Sequence, residues 1–164
     1  MPFLTHPTRV GDDRIIIDAV PTITAGLYGL NDALGGLLQW ARATRGPEET
    51  SLLEMVRIVD RASQNTALTL VLFDQIVQET ADNAVYAPSD ADLDHAVGMV
   101  RIVAADYSTF STNSVAVVFP NAGRGLPVWT VDSHVLYGQL VVSGGPPTFV
   151  STSDIHVRLT FRRD

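Results

Sequence analysis

Residues 51–87 read SLLEMVRIVDRASQNTALTLVLFDQIVQETADNAVYA, and the conformation assigned to this stretch decides the fold assigned to the rest. Between Leu52 and Ala62, the residues Leu52, Met55, Val56 and Val59 recur at three- and four-residue steps. Glu54, Arg57, Asp60 and Arg61 take the opposite side. That spacing predicts an amphipathic helix. Ser63-Gln64-Asn65-Thr66 then interrupts the apolar run. Either Asn65 or Thr66 caps a second helix, or one helix continues through a polar patch. From Ala67 to Val77, the residues Leu68, Leu70, Val71, Leu72, Phe73, Ile76 and Val77 spread around the whole circumference. A helix that is apolar all round is a buried one. The β-branched content leaves a strand open for Leu68 to Phe73, but the pattern continuing to Ala81 favours helix. The run is shorter than the ~20 apolar residues a bilayer span needs.

Outward from this stretch, the N-terminal side is punctuated by proline and glycine. Met1 to Asp13 reads as an extended arm, and Arg14 to Asp18 as a short strand. Leu27, Leu30, Leu34, Leu37, Leu38 and Ala41 predict a weak helix over 25–43, loosened by Gly26, Gly29, Gly35 and Gly36. On the C-terminal side, Ser89 and Asp92 form a capping-box pattern opening a helix that runs to about Tyr107. From there the period changes to two. Val115–Phe119, Val128–Val131 and Val135–Val142 are strand candidates, and Asn121 to Gly125 is a turn. Ile155, Val157, Leu159 and Phe161 alternate with His156, Arg158, Thr160 and Arg162, as in a half-buried antiparallel strand. The expectation is an α+β fold in one domain over 1–164. Its helical middle, with a buried central helix, packs on a mainly antiparallel sheet from the C-terminal third plus a short N-terminal strand.

Composition narrows the function classes. The chain of 164 residues has no cysteine, which removes disulfides, zinc–thiolate sites and thiol nucleophiles. All 11 basic residues are arginine, and 14 of the 18 acidic residues are aspartate. The formal charge of −7 argues against a general nucleic-acid binder, leaving only a local patch of Arg158, Arg162 and Arg163. The N-terminus lacks a basic-then-apolar signal-peptide pattern, so a virion or cytoplasmic location is expected.

The most specific candidate for chemistry is a repeated Asp-x-His-Val, at Asp132/His134 and at Asp154/His156. On paired strands, two imidazoles and two carboxylates could converge on Zn, Mn or Fe. Solvated side chains and strand-end caps account for the same residues without a metal. His6 and His95 read as isolated and solvent-facing. Arg124, at the tip of the 121–125 turn, is a possible contact residue. There is no G-x-S-x-G elbow, P-loop or G-x-G-x-x-G.

Gln75-Ile76-Val77-Gln78-Glu79-Thr80-Ala81 resembles the active-site helix of ribosome-inactivating N-glycosidases. That family's motif reads glutamine, apolar, valine, any residue, glutamate, two small residues, then arginine. Asp82 stands at the arginine position here, removing the cation the chemistry implies, and Tyr107 falls near the family's tryptophan. The resemblance implies adenine release from rRNA dependent on Glu79. The residues alone also read Glu79 as the exposed end of the central helix.

No catalytic, cofactor-binding or metal residue is assigned on these grounds. The expected function is a self-assembling structural subunit, a coat- or tail-type component of a virus or phage. Its partners are copies of itself, met through the N-terminal arm and exposed strand edges, with no membrane involved. An enzyme using Glu79 or a metal, and a small-ligand or protein-binding module, are the alternatives.

Overall fold

The structure, a computed structural model, describes residues 13–163. Ten strands follow in chain order: β1 (Arg14–Ala19), β2 (Ala33–Ala41), β3 (Thr50–Asp60), β4 (Leu68–Phe73), β5 (Ala96–Ile102), β6 (Tyr107–Phe110), β7 (Asn113–Val118), β8 (Leu126–Trp129), β9 (Val135–Val142) and β10 (Ile155–Arg163). A single-turn helix, α1 (Asp90–Leu93), precedes β5. Every strand pairing is antiparallel.

The strands form two sheets. One runs β1-β10-β3-β7-β6, with β8 pairing the first half of β3 where β7 pairs the second half. The other runs β2-β9-β4-β5. Their inner faces meet in one apolar cluster that includes Ile15, Leu53, Ile58, Leu70, Leu140 and Phe161. Without the β6–β7 hairpin, the sheets are β1-β10-β3-β8 and β2-β9-β4-β5. That is the double Greek-key order of an eight-stranded jelly roll. The hairpin is an insertion that widens the first sheet beyond β3.

The predicted buried central helix does not exist; its two halves are β3 and β4. Register explains the misreading. Along β3 the core-facing residues are Leu53, Val56 and Ile58, because a bulge opposite Thr160/Phe161 adds one residue between Leu53 and Val56. A bulged strand has three-residue steps among its two-residue steps, which imitates helical spacing. β4 is apolar all round because both its faces are covered. Leu68, Leu70 and Leu72 point into the sandwich, while Val71 and Phe73 pack under a second small cluster outside it. A short run buried on both faces cannot be told from a helix by periodicity.

The two flanking helices fail for related reasons. The predicted helix over 25–43 is a loop followed by β2, whose pairing with β9 is broken by a bulge between Leu34 and Leu38. Gly35 sits in that bulge at φ 76°, and a Cβ there would lie 2.5 Å from Pro21 Cβ. The glycines mark a strand irregularity, not a loosened helix. The capping box at Ser89 and Asp92 forms, but the helix it opens is only α1. The rest of the predicted helix to Tyr107 is β5 and a 3-10 turn. Of the C-terminal strands, β9 and β10 form where expected, with Ile155, Val157, Leu159 and Phe161 all fully buried, while β7 and β8 each begin two residues before the expected Val115 and Val128. The N-terminal arm lies outside the described residues, apart from Asp13.

Candidate functional site

The two Asp-x-His pairs belong to different sheets. Asp132 and His134 are exposed in the loop before β9. Asp154 is buried, and its Oδ2 accepts hydrogen bonds from the Val150 and Ser151 amides at 3.0 and 2.9 Å. It caps the turn that launches β10. His156 lies on the outer face of β10, opposite Val59. Among the described residues no three His, Asp or Glu side chains gather as a metal site. His6 lies outside the described residues. His95 is not isolated: its Nδ1 is 3.1 Å from Asp74 Oδ1, while Trp129 Nε1 donates to the other oxygen of that buried carboxyl.

Glu79 lies on no helix. Residues 74–95, apart from α1, form a strap across the outer face of the four-stranded sheet. Strands β2 and β9 supply its docking groups. Glu79 Oε2 accepts from Leu37 N at 2.9 Å. Asp82 is the strap's main pin. Its Oδ1 accepts from the Tyr28 hydroxyl at 2.7 Å and Gly35 N at 2.6 Å, and its Oδ2 from Thr24 Oγ1 at 2.6 Å. Gln139, buried on β9, holds the Thr80 amide and carbonyl through its side-chain amide. Burial, and secondarily the bond to Asp82, push the Tyr28 phenol well above its usual range. Burial pushes Tyr86, on the strap itself, up to about 12. Glu79, Thr80 and Asp82 of the glycosidase-like stretch are therefore strap anchors.

The outer face of the other sheet carries no such cover among the described residues. Antiparallel register sets Asp18, Arg158, Arg57 and Val117 in one row across β1, β10, β3 and β7. Arg158 holds Asp18 with both ends of its guanidinium, at 2.6 and 2.8 Å. That bond keeps the Asp18 carboxyl below its ordinary pKa. Arg57, directly opposite Arg158, has no ion pair among the described residues, and its Nε is buried without a hydrogen-bond partner. Arg61, just past β3, is exposed and also unpaired among the described residues. Burial, then Arg61, holds the neighbouring His156 below its ordinary pKa of 6.5. Further along, Arg14 and Arg162 face each other and share Glu54, at 2.7 and 3.6 Å. Arg124 lines a groove there with Met55 and Phe119. Of the predicted patch, Arg158 and Arg162 lie on this face; Arg163 pairs in register with buried Ser51.

Sequence reasoning missed Arg57, Arg61 and Asp18 as members of one surface. The signal was present: Arg57 and Val59 alternate with buried Val56, Ile58 and Asp60. It was hidden by assigning β3 to a helix. Also missed were exposed apolar groups on this sheet: Phe110 and Val117 on the β6–β7 hairpin, and Phe119 just past β7, which are 59%, 40% and 58% exposed. Among the described residues β6, the last strand of that sheet, pairs with β7 alone. No helix among the described residues is long and apolar enough to cross a membrane.

No family model matches the sequence, and no curated protein matches it. Among solved structures, the chain is similar to a chain titled as the capsid of Ralstonia phage GP4. The match has 17% identity and a TM-score of 0.38, covering 99% of this chain and 93% of that one.

Proposed function

We propose that the chain is a single-domain, self-assembling structural subunit, a coat- or tail-type component of a virus or phage particle. The observation that carries this reading is the inserted β6–β7 hairpin. It extends the six-stranded sheet past the jelly roll's own β3–β8 edge. It ends in a strand that has no second strand partner among the described residues, beside exposed Phe110 and Val117. Free edges of this kind template pairing with another chain, and proteins that stay monomeric blunt them. Exposed apolar groups gathered beside such an edge are a contact surface. Jelly rolls serve as viral capsid domains as well as lectins and cupins, so the fold supports the reading by analogy only.

The arm, Met1 to Asp13, and the β6 edge are the proposed contact elements between copies. The test is solution mass by light scattering on a sizing column, with electron micrographs of the same fraction. Large regular particles, tubes or rings are expected. Deleting residues 1–13 should reduce them to smaller species. A full-length chain that stays a clean monomer overturns the proposal.

A further inference from the structure

We propose that the arginine-lined outer face of the six-stranded sheet docks the acidic strap of a second copy of this chain. The inference rests on the assembly reading and names the surfaces that would meet. Arg57 and Arg158 stand directly opposite each other in register, and the one carboxylate of their row, Asp18, lies on the far side of Arg158. Asp18 is already held at both oxygens by Arg158. Like charges set opposite across strands destabilise a sheet. A cation whose Nε is buried without a hydrogen-bond partner adds a desolvation cost. Arg61 lines one groove with Arg57, Arg158 and His156 and adds a further charge there, where His156 brings none when neutral. An incoming carboxylate would relieve the opposed pair.

The same chain carries the complement on its other side. Residues 62–100 contain six carboxylates (Asp74, Glu79, Asp82, Asp90, Asp92, Asp94) and neither lysine nor arginine. Glu79 and Asp94 on the strap, and Asp90 on the α1 turn within it, are exposed and form no ion pair among the described residues. An overall charge of −7 disfavours a polyphosphate occupant, which the whole molecule repels. Because strap and arginine face lie on opposite sides of the sandwich, the contact is heterologous. It propagates from copy to copy, into a ring or an open array, and does not stop at a dimer.

Solution mass as a function of NaCl tests this. Raising salt from about 0.1 M to about 1 M shortens the screening length from roughly 10 Å to 3 Å. The wild-type mass should fall across that range. At low salt, Arg57→Glu/Arg61→Glu and Asp90→Arg/Asp94→Arg should each lose mass alone, and an equimolar mixture should regain it. Thermal melts check that both variants fold. Arg61→Glu alone, a change at an exposed position, should lose mass in the same direction if the double variant does not fold. Assemblies indifferent to salt and to both charge reversals overturn the docking and leave the assembly reading standing. A wild-type monomer at low salt overturns both. Retarded migration of duplex DNA with wild type, abolished by Arg57→Glu/Arg61→Glu, would assign the face to phosphates and overturn the proposal.

Discussion

Phe73 and Phe119 both lie away from the central core, one outside each sheet of the same sandwich, yet Phe73 is 1% exposed and Phe119 58%. The strap over 74–95 makes the difference. It brings Val77 and Tyr86 over Phe73 and is sewn down by Asp82, Glu79 and Gln139. The opposite face has opposed arginines, a half-satisfied charge row and exposed apolar groups. Among the described residues, one face is closed within the chain and the other is not.

The sharpest way to break this comparison is to truncate the same residue on each side. Phe73→Ala should cost about 3–5 kcal/mol in urea unfolding, as for a phenylalanine removed from a packed site. Phe119→Ala should stay within about 0.5 kcal/mol, the usual range for a surface change. Similar losses at both positions would mean that Phe119 is buried and that the face is not bare. Next in size is Asp82→Ala. It removes one carboxylate that accepts three hydrogen bonds and leaves Gly35 N and the Tyr28 hydroxyl short of an acceptor. A loss of about 2–3 kcal/mol is expected. For a domain of this size that lowers Tm by about 2–4 °C per kcal/mol. A change under about 0.5 kcal/mol would mean that the strap is held by its apolar contacts alone.

The difference between the faces also explains what was legible in the sequence. β10 was readable because one face is buried and the other wet, so its alternation is unbroken from Ile155 to Phe161. β4 was not, because the strap buries its second face and erases the alternation. β3 was not, because the bulge at Glu54 shifts its phase midway. The capping box at Ser89 was legible because it is local, while the one-turn length of α1 is set by tertiary context. The arginine face could be read only after β3 and β10 were paired, since Arg57 and Arg158 are brought together by register alone.

Acid should weaken the bare face in two steps. His156 has a folded pKa below its ordinary 6.5, so the unfolded chain binds its proton first. Stability is full above pH 6.5 and declines as pH falls through the lower folded value. Asp18 also has a depressed folded pKa, below 3.8. Its contribution is full above the unfolded value and is lost as pH falls through the folded one. Asp18 is exposed, so its pair with Arg158 is worth no more than about 1 kcal/mol. Urea midpoints measured from pH 7.5 to 3 on wild type and on His156→Gln should differ mainly below pH 6.5. Coincident curves would remove His156 from the account.

The smallest expected change carries an unusual sign. Arg57→Leu deletes one of two opposed cations and the buried, unpartnered Nε, while an apolar side chain keeps contact with the neighbouring Val117 row. Relief of a like-charge cross-strand pair is worth roughly 0.2–1 kcal/mol. The isolated subunit should therefore become slightly more stable, while its mass at low salt falls. A group that costs the monomer stability and is needed by the assembly has its partner outside the chain. If Arg57→Leu instead destabilises the subunit, the arginine stem packs usefully on the sheet. Its cost would then be met within the fold, and the contrast between a closed face and an open one would weaken at the residue on which it most depends.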